Sequence, residues 1–389
     1  MEQEQRDAED EEVDGWEDSQ YFASYGHFAL QKSMLEDVRR NRAFRLAIES
    51  SCEDKVVLDV GCGTGLLSLF AARAKAKRVY AVERSDMAYH AHKIVQSNSM
   101  EHCVFVTQQK AEELELGEKA DVLVSEWLGS FAFFESMVES VIIARDRLLK
   151  ENGIMLPSRI TLLGAPVFWN DADALFWSNV EGFDFSHIHR QLSELRRNRP
   201  VHNIPVAADA LQDTEAKIAG SLLFYFFVSS CFKFVLVATE FDMHVLKVSD
   251  LELIEAKMEF KTAKKVNGFC VWFDAGLNFL INCVKIVLFC SFNNFCLGFE
   301  PWSHENLDTS PKCSPTHWNQ ELLLLGDQID VGADEMLKVH LRIERNEYWR
   351  RHYCLRVNWE IVHAESGSVR KSSDHIFYHH RFPSKARNK

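Results

Sequence analysis

The chain has 389 residues, 47% of them apolar and 26% charged, which suits a soluble protein of two or three packed units and excludes a collagen, a coiled coil or a disordered chain. The net charge of −13 is unevenly spread: ten acids between Glu2 and Asp18 face only Arg6, leaving about −4 for the other 371 residues. Nothing in that balance predicts a basic face for nucleic acid, so no direct nucleic-acid partner is expected and a basic partner is easier to accommodate.

Residues 1–19 read as a solvated, self-repelling acidic tail. The opening lacks a basic, then apolar, then small-residue leader, so an intracellular setting is expected. The ten cysteines form neither a CxxC pair nor a zinc-like quartet, which points to reduced thiols and no metal site.

Tyr21 to Ser50 has helical spacing through Met34, Leu35, Val38, Phe44 and Ile48. Strand-like 55–61, helix-like 66–74 and strand-like 79–82 then make a βαβ unit, and the alternation continues through 88–98, 103–108, 121–126 and 135–149. This turnover predicts an open, doubly wound parallel sheet. From about Pro157 short strands take over, at 160–167, 243–249, 257–262, 269–274, 321–326, 336–345 and 353–362, predicting an all-β second unit with the boundary near Leu156–Pro157.

Two runs break this texture. Residues 221–238 and 276–299 together hold ten of the 28 phenylalanines and four of the ten cysteines, and Lys233 and Lys285 interrupt them. They read as segments foreign to the fold, such as translated non-coding sequence. Buried hairpins are the alternative, and a membrane span is disfavoured by the flanking strands and the polar residues within.

Gly61, Gly63 and Gly65 follow a predicted strand and open a predicted helix, so a ligand can approach the main chain there. Glu83, 22 residues beyond Gly61, ends the next strand and is placed to accept from ribose hydroxyls. Leu66 stands where a dinucleotide loop has its third glycine, and Asp59 would oppose a pyrophosphate. An acid there suits S-adenosylmethionine, which has an ammonium and a sulfonium but no phosphate; a nicotinamide enzyme is the weaker alternative. Glu112 is a candidate acceptor for adenine N6.

Glu126 ends a strand at the carboxyl edge of the sheet, and Glu135 follows an apolar loop at the start of a predicted helix. Two carboxylates brought together repel unless a cation lies between them, and a planar guanidinium fits that role. Carboxylates that draw its charge to one nitrogen leave another more nucleophilic toward a methyl donor.

With these residues in place, the chain resembles the protein arginine N-methyltransferase family. The elements that carry the resemblance are YFxSY at 21–25, VLDVGCGTGLLS at 57–68, VYAVE at 79–83, VLVSEWLG at 122–129, FFESM at 133–137 and THW at 316–318, and the match covers most of 20–170, 239–274 and 307–360. It implies a Rossmann-like methyltransferase domain (20–156) with a helical lid, followed by a β-barrel domain (157–389) bearing a helical dimerisation arm at about 173–200, and a head-to-tail homodimer.

By position, the resemblance implies that Phe22 covers the cofactor, Arg40 holds its carboxylate, and Asp59, Gly61 and Gly63 line its amino-acid end, with Glu83 on ribose and Glu112 on adenine. It implies Glu126 and Glu135 as the catalytic clamp, Tyr25, Met34 and Met137 as pocket walls, and His317 with Trp318 closing the site from the β domain. Histones and Arg/Gly-rich proteins are the implied substrates, mono- and asymmetric dimethylarginine the products, and nucleus and cytoplasm the location.

The chain departs from the family at Gln31, Asn41 and Ser130, and the second Phe-rich run precedes the THW loop closely enough to displace His317. A cofactor-binding but inactive adaptor is therefore one alternative. A small-molecule methyltransferase is another, disfavoured by the paired-glutamate and THW loops.

Overall fold

The computed structural model describes residues 16–169, 173–211, 216–218, 237–260, 265–277, 306–346 and 349–378. Three helices come first, α1 (16–25), α2 (Phe28–Glu36) and α3 (Val38–Ser51). α1 begins inside the stretch expected to be solvated tail. The cause is pairing: Glu17 accepts from the Arg351 main-chain N–H at 3.1 Å, and Asp18 meets Lys110 and Arg351. Asp37 breaks α2 from α3, and its carboxylate caps α3 by accepting from the Arg40 N–H at 2.9 Å.

Next come β1 (Val56–Val60), α4 (Leu66–Arg73), β2 (Arg78–Glu83), α5 (Met87–Ser97), β3 (Val104–Gln108), β4 (Ala120–Val124), α6 (Val138–Leu148) and β5 (Leu149–Leu156). The strands pair in parallel in the order β3-β2-β1-β4-β5. Strand order reverses at β1, with β2 on one side and β4 on the other, so the loops after β1 and β4 open a crevice at the carboxyl edge. The apolar runs have no alternation because helices cover both faces, and all five residues of β1 are buried.

Beyond Pro157 the elements are β6 (Arg159–Val167), α7 (Asp173–Ser178), α8 (Ser186–Arg197), β7 (Val201–Ile204), β8 (Ala216–Ile218), β9 (Val237–Asp242), β10 (Leu253–Phe260), β11 (Lys265–Gly276), β12 (Leu307–Asp308), β13 (Gln320–Asp330), β14 (Glu335–Arg345), β15 (Tyr353–His363) and β16 (Val369–Tyr378). They form two antiparallel, barrel-like sheets, β16-β15-β14-β10-β8 and β7-β13-β11-β6-β9. One apolar cluster runs from Phe44, Val57 and Leu123 through Phe273 and Leu323 to Trp359, joining the parallel sheet to both antiparallel ones.

One expected strand is corrected and one unexpected strand is found. The apolar run 243–249 is a turn leading into a 3-10 helix (Val248–Leu251), because the buried Arg145 guanidinium donates to the carbonyls of Met243 (2.7 Å) and Leu246 (2.8 Å) and so replaces a strand partner. β16 escaped the sequence reading because its outer residues are exposed and polar; main-chain pairing with β15 makes it a strand. Most of the two Phe-rich runs lies outside the described residues, Val237–Ala238 in β9 and Gly276–Leu277 at the end of β11 excepted. Among the described residues, no helix is long and apolar enough to cross a membrane.

In the expected arm, α7 and α8 stand as a helical pair. α8 buries none of its side chains, and Leu175 (81% exposed) and Phe183 (70%) face solvent.

Candidate active site

The turn after β1 is tied to β2 by the main-chain N–H groups of Gly61 and Cys62, which both donate to the Val82 carbonyl, at 2.8 and 3.0 Å. Gly61, Gly63 and Gly65 have φ of 69°, 53° and 84°, backbone that L side chains rarely adopt. At Gly61 a Cβ would also lie 2.2 Å from the Met137 methyl, but that is the movable end of a flexible side chain, so the backbone conformation is the firmer constraint. Glu83 is fixed by accepting from Gly63 N–H (2.9 Å) and Ser85 N–H (2.8 Å), one at each carboxylate oxygen. Each oxygen keeps a lone pair for a hydroxyl.

These elements surround a partly open cleft. Of the residues singled out by sequence, Phe22, Tyr25, Met34, Arg40, Gly61, Gly63, Glu83, Glu112, Glu126 and Met137 line it. Asp59 does not. It is fully buried, with one carboxylate oxygen accepting from Ser68 Oγ at 2.6 Å and the other without a hydrogen-bond partner. Burial pushes its carboxyl up to about 7, against the hydrogen bond from Ser68. Glu112 sits on a 3-10 turn (Ala111–Glu113), where Ser140 Oγ donates to it at 2.5 Å.

The glutamate loop is unlike the glycine loop. Phe131, Ala132, Glu135 and Ser136 all have positive φ, from 41° to 74°, without being glycine, and α6 starts only at Val138, so Glu135 belongs to the loop and not to a helix start. Glu126 accepts from Leu128 N–H (3.0 Å) on one oxygen and from Arg40 on the other, through Nε at 2.9 Å and Nη2 at 2.8 Å. Arg40, expected to serve the cofactor carboxylate, therefore also offsets the charge of Glu126. Its Nη1 donates to Asn41 Oδ1 at 2.8 Å, which gives Asn41 a place in the site.

Glu135 accepts from the Tyr25 hydroxyl at 2.6 Å. Burial raises its carboxyl above the ordinary range; Tyr25 and Arg351 pull it down, and the Glu126 charge pushes it up. That mutual repulsion is what a cation between the two glutamates would relieve. Gln31 donates to the Tyr25 carbonyl at 2.9 Å and packs its amide oxygen 3.1 Å from where a Cβ on Gly63 would sit, so this departure keeps the lid in touch with the glycine loop.

The THW loop braces this arrangement from the antiparallel half. Trp318 Nε1 donates to the Leu128 carbonyl at 2.6 Å, inside the glutamate loop. His317 Nδ1 lies 2.8 Å from the Asp37 carboxylate, which also accepts from the His317 N–H at 2.9 Å. His317 borders a separate groove with Ser33, Glu36, Asp37, Arg39, Ser314 and Pro315, not the cleft itself. The loop is thus seated on the helices and on the glutamate loop, not displaced from them.

Sequence reasoning missed Tyr21, Asp37, Lys110 and Arg351. Asp37 was findable as an acid at a helix start. Arg351 reaches the cleft from 216 residues beyond Glu135 through tertiary folding alone. The polar groups lining the cleft fit S-adenosylmethionine: a fixed acceptor pair at Glu83 and Arg40 N–H groups beyond those its partners use, with aromatic Phe22 in the wall.

Comparison with known proteins agrees with this geometry. Residues 165–364 match the arginine methyltransferase oligomerization subdomain, and residues 45–160 match the ribosomal protein L11 methyltransferase (PrmA) family. The chain is 31% identical to human protein arginine N-methyltransferase 2, over 94% of this chain and 77% of that one, and 34% identical to zebrafish (Danio rerio) protein arginine N-methyltransferase 6, over 91% and 93%. Among solved structures, Arabidopsis thaliana protein arginine methyltransferase 10 superposes with a TM-score of 0.70 at 26% identity, covering 92% of this chain and all of that one. The Trypanosoma brucei enzyme–prozyme heterotetramer with AdoHcy gives 0.67 at 27%, covering 91% and 99%. The chain belongs to the protein arginine methyltransferase family, whose members use S-adenosylmethionine as methyl donor.

Proposed function

We propose that this chain methylates arginine guanidinium groups in basic proteins, histones and Arg/Gly-rich segments among them, to monomethyl and asymmetric dimethylarginine. The observation that carries the reading is the pair Glu126 and Glu135, held at the two ends of one apolar loop beside the cofactor cleft. The cofactor supplies a methyl group on a sulfonium.

The protein's own part is to bind, orient and deprotonate. Glu126 and Glu135 grip the guanidinium through its N–H fork and hold its charge away from the attacking nitrogen. Arg40 shares the Glu126 carboxylate, so the clamp is not doubly negative before substrate enters. The Glu135 carboxylate, raised by burial, is the better acceptor for the proton that the nitrogen sheds. Tyr25, Met34 and Met137 wall the approach, and Phe22 covers the cofactor side.

On this reading residues 20–156 are the cofactor unit and 157–389 the second unit. Function as a homodimer through the 173–200 arm is supported by the exposed Leu175, Phe176 and Phe183. A nuclear and cytoplasmic location accords with histone substrates.

The test is transfer of label from S-adenosylmethionine to a histone H4-like arginine peptide, with products resolved by mass and fragmentation. Asymmetric dimethylarginine from wild type and its loss in Glu126→Gln support the reading. Cofactor binding without transfer would make the chain an adaptor, and symmetric product would overturn the product assignment.

A further inference from the structure

We propose that Arg351 is a positioning residue which couples closure of α1 over the cofactor cleft to the conformation of Glu135. This rests on the arginine methyltransferase reading above. Arg351 lies in the turn between β14 and β15, with its guanidinium largely buried (side chain 15% exposed). All three of its nitrogens are used.

Nε and Nη2 both donate to Asp18 Oδ1 on α1, at 3.0 and 2.6 Å, and the guanidinium stacks 4.0 Å from the Tyr21 ring centroid. Nη1 donates to the Glu135 carbonyl at 2.8 Å, while the Arg351 carbonyl accepts from the Glu135 N–H at 3.0 Å. Next to it, Ser136 Oγ donates to the Arg350 carbonyl at 3.0 Å. Both main-chain groups of Glu135 are thus held by one residue. That is what a non-glycine residue at φ 74° needs, because such backbone persists only where its surroundings over-determine it.

The far end of α1 closes the circuit. Tyr25 donates to the Glu135 carboxylate at 2.6 Å, so Glu135 is gripped by its backbone from Arg351 and by its side chain from α1. Asp18 also meets Lys110, another residue lining the cleft, at 2.8 Å. Between Asp18 and Tyr25 lies Phe22, part of the cofactor wall. Opening α1 therefore removes Tyr25 from Glu135 and Asp18 from Arg351 together. The glutamate clamp is complete only when α1 lies shut over the cleft.

The experiment compares Arg351→Ala, Arg351→Lys, Asp18→Asn and the double variant Asp18→Asn/Arg351→Ala in the full chain. It measures the Kd of S-adenosylhomocysteine, and kcat with saturating cofactor and peptide. Arg351→Ala is expected to weaken S-adenosylhomocysteine by roughly fivefold and to lower kcat by roughly tenfold or more, since the clamp loses its orientation. Asp18→Asn weakens S-adenosylhomocysteine similarly, and the double variant is no worse than Arg351→Ala in Kd, because both changes break one link.

Arg351→Lys keeps a charge for Asp18 but not the fork, so it restores Kd and leaves kcat low. That split separates positioning from general destabilisation, which would move both together and which Lys would not divide. Additive Kd effects, or an Arg351→Ala kcat within about twofold of wild type, overturn the proposal. A wild type that binds S-adenosylhomocysteine but methylates no peptide would sink the arginine reading instead; the Kd cycle would still decide whether Arg351 latches α1.

Discussion

Two loops meet at the cleft, and they hold their shapes by opposite means. The glycine loop after β1 carries its own solution: three residues at positive φ are glycine, and the turn is fastened by main-chain bonds to the adjacent β2. The glutamate loop after β4 uses four non-glycine residues at positive φ and is fastened from the antiparallel half, by Trp318 at Leu128 and by Arg350 and Arg351 at Ser136 and Glu135. The first loop is therefore a local device. The second exists only when both halves of the chain are folded against each other, so on the proposed reading substrate chemistry depends on long-range order more than cofactor binding does.

The largest effect on this contrast is expected at Gly129. A Cβ there would lie 2.2 Å from the Phe134 carbonyl oxygen, a main-chain atom that cannot swing aside. Gly129→Ala should lose methyl transfer by at least about 100-fold and destabilise by about 2–4 kcal/mol, through overpacking and loss of the Gly129–Ala132 bridge. Activity and thermal unfolding measured side by side check it; a stable, active variant would show that the loop is not closely packed.

Trp318→Phe asks whether the brace matters without a clash. It keeps the ring but leaves the Leu128 carbonyl without its donor, at a cost of about 1–3 kcal/mol. If the two loops are independent, kcat falls while S-adenosylhomocysteine affinity stays near wild type. Gly65→Ala is the converse change on the cofactor side. The nearest atom to a Cβ there is 3.7 Å away, so only the φ of 84° opposes it, and about 1–2 kcal/mol of strain is expected. Its effect should fall on cofactor affinity, read by titration, with kcat at saturation preserved.

The same contrast explains what the sequence made legible. The parallel sheet, the glycine turn, Glu83 and Glu126 follow from local patterns: apolar runs, glycine spacing and acids at strand ends. In the β half, β14 and β15 alternate cleanly because one face is buried and one wet, and their bounds were readable nearly to the residue. What stayed hidden depends on distant partners. Arg145 turned an apolar run into a turn, Arg351 reached back to α1 and the glutamate loop, and Glu17 and Asp18 became helix because the Arg351 main chain and the Arg351 and Lys110 side chains awaited them. A charged side chain carries no periodic signature of the carboxylate or carbonyl it will meet.

Glu135 offers the last discrimination, because its burial sets activity and stability against each other. The group faces Tyr25, Tyr21, Arg351 and Glu126, and burial leaves its carboxyl above the ordinary range. Clamping a guanidinium needs the ionised form, so kcat should fall with decreasing pH at a higher pH than an ordinary glutamate would give. Stability has the opposite sign. A carboxyl that binds its proton more tightly folded than unfolded stabilises the fold while protonated, and this contribution is lost as pH rises through the raised value. Above it the ligand-free protein bears the cost of an ionised, buried group beside Glu126. Glu135→Gln removes that cost, so the variant should be inactive yet melt higher than wild type at pH 8, with the gap narrowing as pH falls toward the ordinary carboxylate range. Melting curves of both proteins across that range, without cofactor or peptide, decide the point. A gap that does not vary with pH would mean that Glu135 is solvated, and that the glutamate loop is looser than its hydrogen bonds to Arg351 imply.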